Sequence, residues 1–177
     1  FESVLGTLEF LHDEETLNMS YRNMTISTCG IIPGIEKLSA KALPINLAIS
    51  LHAARNDLRS ELMPINTSYP FLEVIRAAEN YARTTGRQVT YEYILIANVN
   101  DSLVDAELLS NALRFKNASV NLIPANPVAE KGFTRPSPRI IERFLQVLKK
   151  NKVNATIRKE MGKDIDAACG QLRSKVI

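Results

Sequence analysis

The cysteine near the end of the chain is the residue whose surroundings best fit covalent chemistry. Cys169 follows two carboxylates, Asp164 and Asp166, and lies between Ala168 and Gly170. A cysteine thiolate is a strong nucleophile, so a single thiol in such a segment is a candidate for nucleophilic catalysis. The same small neighbours equally suit a free cysteine that packs as a small apolar side chain. Cys169 is therefore a candidate nucleophile, with a packing role as the alternative.

A second set of candidate residues consists of polar side chains that follow the predicted strands. The set comprises Ser27 with Thr28, Ser50 with His52, Asn98 with Asn100, and Asn126. The carboxyl ends of parallel strands meet at one edge of a sheet, so we expect these residues to line one cleft. Neutral donors and acceptors there suit a ligand with ribose and amino-acid groups. Each residue taken singly is also explained as a turn or a cap.

The elements that would position these residues alternate between helix and strand. Apolar residues at helical spacing and Ser or Pro starts predict helices over residues 1–11, 35–42, 71–82, 103–113 and 138–148. Short apolar or alternating runs predict strands over residues 24–27, 45–51, 89–95, 119–123 and 153–157. Helices between successive strands indicate parallel pairing through right-handed crossovers.

This alternation predicts an α/β fold with a parallel sheet of about four to five strands and helices on the outside. Eight βα units are needed to close a barrel of this kind, and the chain has fewer. We therefore predict a partial (βα) barrel in one domain over residues 1–177.

The bulk composition is that of an ordinary globular protein. The 177 residues are 45% hydrophobic and 23% charged, and no apolar run approaches the roughly 20 residues of a membrane span. Without a leader sequence, this predicts a cytoplasmic protein with no membrane association. Cys29 and Cys169 are too far apart in sequence to predict a metal site, and we expect free thiols. The chain opens at Phe1, inside a predicted helix, which predicts that further sequence precedes it.

Positive charge is concentrated toward the carboxyl end of the chain. Residues 131–177 contain 12 Lys and Arg against 4 Asp and Glu, whereas residues 1–130 contain 10 against 15. Such a basic block can neutralise phosphates and attract nucleic acid. A solvated helix face is the alternative interpretation.

Several segments match a known pattern, in order, over nearly the whole chain. They are S-T-C-G-I-I-P at 27–33, L-A-I-S-L-H-A at 47–53, L-M-P-I-N at 62–66, Y-E-Y at 91–93, N-L-I-P at 121–124 followed by Asn126-Pro127, and D-I-D-A-A-C-G-Q-L at 164–172. Together they resemble the RlmN/Cfr family of radical SAM adenine methyltransferases. One departure is Cys29, since the family more often has Ser at that position.

The resemblance implies that the chain is the C-terminal portion of a radical SAM core, with a methyl-carrier segment at about 159–177. It implies that S-adenosylmethionine contacts Ser27, Ser50, Leu51, His52 and Asn126, and that Cys169 accepts the methyl group. It also implies a 4Fe-4S cluster whose ligands lie outside this sequence, because neither C-x-x-x-C-x-x-C nor Gly-Glu-Pro occurs here. The chain by itself is therefore expected to be inactive.

The implied reaction is methylation of carbon 2 of an adenine in 23S ribosomal RNA, with transfer RNA as a further candidate substrate. In the family's scheme, Cys169 receives a methyl group from one S-adenosylmethionine, and a 5′-deoxyadenosyl radical from a second one removes hydrogen from that methyl. The methyl carbon then adds to adenine. The resemblance also implies an electron donor such as flavodoxin.

Two alternative functions remain at this point. The first lies within the family, where carbon 8 of adenine is the target in the Cfr branch, which confers antibiotic resistance. The second is a non-catalytic βα module that binds a small phosphorylated ligand. That module would need a glycine-rich phosphate loop, and the chain has only 7 Gly and no G-x-G-x-x-G or P-loop pattern.

Overall fold

A computed structural model describes residues 1–126 and 132–158 of the chain. The helices are α1 (Glu2–His12), α2 (Ile32–Lys41), α3 (Asn56–Leu62), α4 (Phe71–Thr85), α5 (Leu103–Leu113) and α6 (Pro138–Lys150). The strands are β1 (Thr25–Thr28), β2 (Asn46–Ser50), β3 (Val89–Leu95), β4 (Ala118–Pro124) and β5 (Asn154–Ile157). Short 3-10 turns cover Tyr21–Asn23 and Pro64–Thr67.

The five strands form one parallel sheet in the order β1-β2-β3-β4-β5, so every strand pairs with the next along the chain. Right-handed crossovers that always advance in one direction place their helices on the same face of the sheet. The prediction of a parallel sheet with helices outside is confirmed. The helix α3 was not predicted, and β1 begins one residue later than expected.

The hydrophobic core lies between this helical layer and one face of the sheet. Every second residue of β3 and β4 is buried, including Tyr91, Tyr93 and Leu122. Phe144 of α6 is fully buried, and its ring centroid lies 5.4 Å from that of Tyr93. Burial of such large side chains accounts for most of the stability of a layer of this kind.

The opposite face of the sheet is polar, and we call it the polar face. In register across the strands it presents two rows, Ser27, Ala48, Thr90, Ser119 and Asn154, and then Ser50, Glu92, Asn121 and Thr156. Parallel sheets are normally covered by apolar layers on both faces. A polar second face instead fits the interior of a barrel wall that surrounds a polar ligand.

The serines that precede α5 and α6 cap these helices, as predicted. Ser102 Oγ accepts a hydrogen bond from the Asp105 amide at 3.1 Å, and Ser137 Oγ accepts one from Ile140 at 3.4 Å. These bonds satisfy amide donors that the first helical turn leaves unpaired. In the parts of the chain described, no helix has the length and apolar character to cross a membrane.

Candidate cofactor site

The predicted site residues lie at or just after the carboxyl ends of β1, β2 and β4. Ser27 is exposed on the polar face of β1, and Ser50, the last residue of β2, is partly buried beside Glu92. Asn126 is exposed just after β4. With strands about 4.8 Å apart, the span from β1 to β4 is about 14 Å, which suits an extended nucleoside ligand.

His52 is held in a strained backbone conformation directly after β2. Its φ is +60°, a left-handed value that is uncommon outside glycine. Three hydrogen bonds to the end of β3 and its following turn fix it: its amide donates to Glu92 O at 3.3 Å, its carbonyl accepts from Asn100 Nδ2 at 2.8 Å, and its ring Nδ1 accepts from the Ile94 amide at 3.2 Å. Strain maintained by several contacts is typical of functional sites.

The protonation state of His52 follows from these contacts. Burial, and secondarily the charge of Arg59, lowers the pKa of His52 to about 4, so the ring is neutral at pH 7. Because Nδ1 accepts the hydrogen bond from Ile94, the proton of the neutral ring is on Nε2. His52 therefore offers one fixed N–H donor, and its charge does not change in the physiological pH range.

Leu51 contributes to the site differently from the other predicted contacts. Its side chain is fully buried in the core. Its amide donates to Glu92 O at 3.0 Å, and its carbonyl accepts from Arg59 Nε at 3.2 Å. A cofactor contact by Leu51 stays a prediction, and the fold limits it to the backbone.

The expectation that Asn98 and Asn100 line the cleft is wrong for Asn100. Asn100 is fully buried, and its Oδ1 accepts from the Ile96 amide at 2.7 Å. Its Nδ2 donates to the carbonyls of His52 and Ile94, at 2.8 and 2.6 Å. All the side-chain hydrogens of Asn100 are used to hold the backbone near His52, so Asn100 supports the site without facing a ligand.

Arg59 is a site-supporting residue that sequence reasoning missed. It lies in α3 with 0% exposure, and its guanidinium bonds the backbone of the segments that follow β1 and β2. Burial lowers its pKa from the ordinary arginine value. The sequence signal was the arginine inside the R-N-D-L-R run before L-M-P-I-N, which a surface helix would explain equally well.

The predicted catalytic residue Cys169 lies outside the described residues, as does the segment 127–131 after Asn126. Cys29 is described and is a free, partly buried thiol. Among residues 1–126 and 132–158, no group of three His, Cys, Asp or Glu side chains could hold a metal ion. A 4Fe-4S cluster of this type needs at least three cysteines, and the sequence has two, so the residues present do not fit the cluster.

An open depression of about 570 Å³ lies on the polar face, at the amino ends of the strands. Its lining includes Thr25, Asn46, Arg87, Gln88 and Asn117. These residues are at the opposite end of the sheet from Ser50 and His52. The lining also includes Ala48 and Glu92, which lie in register with Ser27 and Ser50, so the depression extends along the polar face to the candidate site; we assign no ligand to it.

The chain is similar to curated RNA methyltransferases over almost all of its length. It is 49% identical over 176 residues to a protein of Symbiobacterium thermophilum named as a dual-specificity RNA methyltransferase RlmN, covering 99% of this chain and 47% of the relative. A relative of the same name from Desulforamulus reducens is 48% identical over 175 residues, with 99% and 50% covered. The chain thus spans about half the length of the curated relatives it matches.

Solved structures give the same result for the fold. The crystal structure of a radical SAM methyltransferase from Sphaerobacter thermophilus superposes with a TM-score of 0.92 at 46% identity, covering 97% of this chain and 50% of the other. A domain of a pyruvate-formate lyase-activating enzyme from Bacteroides vulgatus superposes with a TM-score of 0.60 at 16% identity, over 76% and 80% of the two chains, and supports the fold alone.

No family model matches the chain. The relatives nevertheless agree in name, and their identity to the chain extends from end to end. Over the half of their length that it spans, the chain is therefore similar to RlmN-named RNA methyltransferases and to a radical SAM methyltransferase of known structure.

Proposed function

We propose that this chain is part of a radical SAM enzyme that methylates carbon 2 of an adenine in 23S ribosomal RNA. The main support is the identity of 49% and 48% to RlmN-named relatives. The polar residues at the carboxyl ends of β1, β2 and β4, which suit a nucleoside ligand, add to this support. Residues 1–177 would form one portion of the core, and residues 159–177 would carry the methyl-carrier cysteine. Ribosomal RNA as substrate implies action in the cytoplasm, and transfer RNA is a second candidate substrate.

In this proposal Ser27, Ser50, His52 and Asn126 bind S-adenosylmethionine, with Leu51 contributing its backbone. Bound S-adenosylmethionine supplies the methyl group and, when reduced, a carbon radical. Neutral hydroxyls, an amide and the Nε2–H of His52 would pair with the ribose and amino-acid groups of the ligand. The polar face beneath them keeps the site hydrophilic.

Cys169 acts in the proposal as the methyl carrier. After it loses its proton to solvent, its sulfur attacks the methyl carbon of the sulfonium donor. A new S–C bond forms while the C–S bond of the donor breaks, and S-adenosylhomocysteine leaves. The chain lacks residues that fit a 4Fe-4S cluster, so we expect it to be inactive alone and to need both the cluster-binding part and an electron donor such as flavodoxin.

The decisive experiment uses a hybrid enzyme in which this chain replaces the matching half of the Symbiobacterium thermophilum relative. Ribosomal RNA treated with the hybrid enzyme is analysed by mass spectrometry for methyladenine. We expect carbon-2 methylation, and we expect Cys169→Ala to abolish it while Cys29→Ala leaves it in place. Full methylation by Cys169→Ala would overturn the proposal, and carbon-8 methylation would instead support the Cfr-type alternative.

We further propose that α6 contributes to RNA binding. Its exposed residues include Arg139, Arg143, Lys149 and Lys150, and the three ion pairs formed by described residues do not involve this helix. Cations that bind phosphates release counterions, so the affinity should fall steeply with salt. Neutralising Lys149, Lys150 and Lys152 to Gln should weaken filter binding of ribosomal RNA and reduce the salt slope, whereas Lys41→Gln should not. Salt-insensitive binding would contradict this role.

A further inference from the structure

Arg59 connects two segments that carry predicted cofactor contacts. Its Nη2 donates to the carbonyl of Cys29, after β1, at 2.9 Å, and its Nε donates to the carbonyl of Leu51, after β2, at 3.2 Å. Its Nη1 donates to Tyr69 O at 3.1 Å and to Asn66 Oδ1 at 2.8 Å. One guanidinium therefore binds the backbone of both loops together with the segment that leads into α4.

The surroundings of Arg59 allow little displacement. Asn66, which is 3% exposed, is itself fixed by bonds from its Nδ2 to Asn56 O at 3.1 Å and Ser60 Oγ at 2.8 Å. A Cβ atom at Gly30 would lie 3.2 Å from Arg59 Nη2, so the backbone after β1 approaches the guanidinium closely. The planar arrangement of guanidinium donors thus fixes the distance between the two loops.

The electrostatic environment of Arg59 is unusual for a buried cation. In the described ranges, no carboxylate forms an ion pair with it. A buried charge is costly unless it is hydrogen-bonded, and here three carbonyl oxygens and one amide oxygen accept hydrogen bonds from four of the five guanidinium hydrogens. An arginine bonded in this way at the junction of two site loops indicates a role beyond filling space.

We propose that Arg59 is a positioning residue of the cofactor site. By bonding the carbonyls of Cys29 and Leu51, it sets the separation between the loop that follows Ser27 and the Ser50–His52 segment. The effect of Arg59 on S-adenosylmethionine binding, the catalytic part, rests on the proposed function. Its effect on the separation of the two loops, the geometric part, does not. Lysine keeps the charge at this position but cannot reach both carbonyls at once.

The geometric part is tested on the chain itself by amide hydrogen exchange. In Arg59→Lys we expect amides of residues 29–31 and 51–53 to exchange at least about tenfold faster, while β3 keeps its protection. Arg55→Lys is the matched control, because Arg55 lies directly before α3, is about half exposed, and pairs with Asp57 and Asp105 through a positive charge that lysine keeps. Unchanged exchange in both loops would overturn the proposal.

The catalytic part is tested in the hybrid enzyme by steady-state kinetics. For Arg59→Lys we expect the KM for S-adenosylmethionine to rise about tenfold or more, since small misplacements of binding groups are costly. We expect kcat to change much less, and the thermal midpoint to stay high enough for the variant to be folded during the assay. Loss of folded protein with an unchanged KM would identify a purely structural residue and overturn the proposal.

The two proposals fail in different ways. If the unsubstituted hybrid enzyme produces no methyladenine, the proposed function fails, and the exchange data still decide whether Arg59 sets the loop separation. If the hybrid enzyme is active but Arg59→Lys has an unchanged KM, only the positioning role fails.

Asn66→Asp gives a second variant. A carboxylate keeps the bond to Arg59 Nη1 but loses the Nδ2 donor to Asn56 and Ser60, so we expect a smaller rise in KM than for Arg59→Lys.

Discussion

At the scale of single residues, His52 is expected to make stability depend on pH. Its folded pKa of about 4 lies below the unfolded value of 6.5, so the unfolded state takes up a proton first as the pH falls. The His52 contribution to stability is complete well above pH 6.5 and is lost toward pH 4, by about 2 to 3 kcal/mol at pH 4.5. Urea unfolding of the chain at pH 7.5 and 4.5 measures this difference.

The matched variants are His52→Asn and His12→Gln, since the chain has 2 histidines. Asparagine tolerates the left-handed backbone and keeps an acceptor for the Ile94 amide, so His52→Asn should show a smaller loss of stability between the two pH values. His12→Gln keeps His52 and should lose as much as the original chain. Equal losses in all three proteins would rule out the buried neutral histidine.

Gly30 is predicted to be intolerant of a side chain. Its φ is +97°, and a Cβ there would lie 3.0 Å from both γ-carbons of Val74. Gly30→Ala should therefore lower the free energy of unfolding by about 1 to 3 kcal/mol. Gly6→Ala is the control, because Gly6 lies within α1 with nothing within 4 Å of its Cβ position, and alanine there should add about 0.5 to 1 kcal/mol. The denaturant midpoint is expected to fall for Gly30→Ala and to rise for Gly6→Ala.

Some features of the site followed from residue type, and others could not. The positions of Ser27, Ser50 and Asn126 at strand ends were predictable, because parallel strands align their carboxyl ends. The buried roles of Asn100 and Arg59 were not, since a polar residue in a loop or helix is usually exposed. Only the fold shows that backbone groups near His52 need these side chains as hydrogen-bonding partners.

At the scale of elements, packing of α6 on the sheet depends on Phe144. This side chain is fully buried against Tyr93, whereas Phe115, in the turn after α5, is 81% exposed. Phe144→Ala should reduce the free energy of unfolding by about 3 to 5 kcal/mol through lost burial and a cavity. Phe115→Ala should change it by less than about 0.5 kcal/mol. A similar small effect for both in thermal unfolding would contradict the packing described.

Element prediction succeeded where burial gives a clear period. Strand β3 has the predicted bounds, because its residues alternate between a core face and the polar face. The helix α3 escaped prediction because it has only 7 residues, and its buried residues are Leu58 and Arg59. Two buried positions, one of them charged, give no apolar stripe that a periodicity argument can detect.

At the scale of the whole molecule, the arrangement of helices on one face leaves the other face of the sheet for a ligand. One row runs across all five strands and the other across β2 to β5, and bonds such as Asn121 Nδ2 to Glu92 Oε2, at 2.9 Å, connect neighbouring strands there. The sequence of β3, V-T-Y-E-Y-I-L, shows this alternation. It does not predict which polar groups pair with each other and which stay available to a ligand, because strand register decides that.

The chain alone should bind S-adenosylmethionine only weakly. The predicted contacts from Ser27, Ser50, His52 and Asn126 bind one side of the ligand, and the residues present do not fit a metal cluster that would hold the other side. Affinity depends on the complete set of well-placed contacts, so titration calorimetry should give a Kd above about 1 μM for the chain. The hybrid enzyme with its cluster reconstituted should bind more tightly, and Ser50→Ala should weaken binding in both. A sub-micromolar Kd for the chain alone would mean that the described sheet edge already forms the whole site.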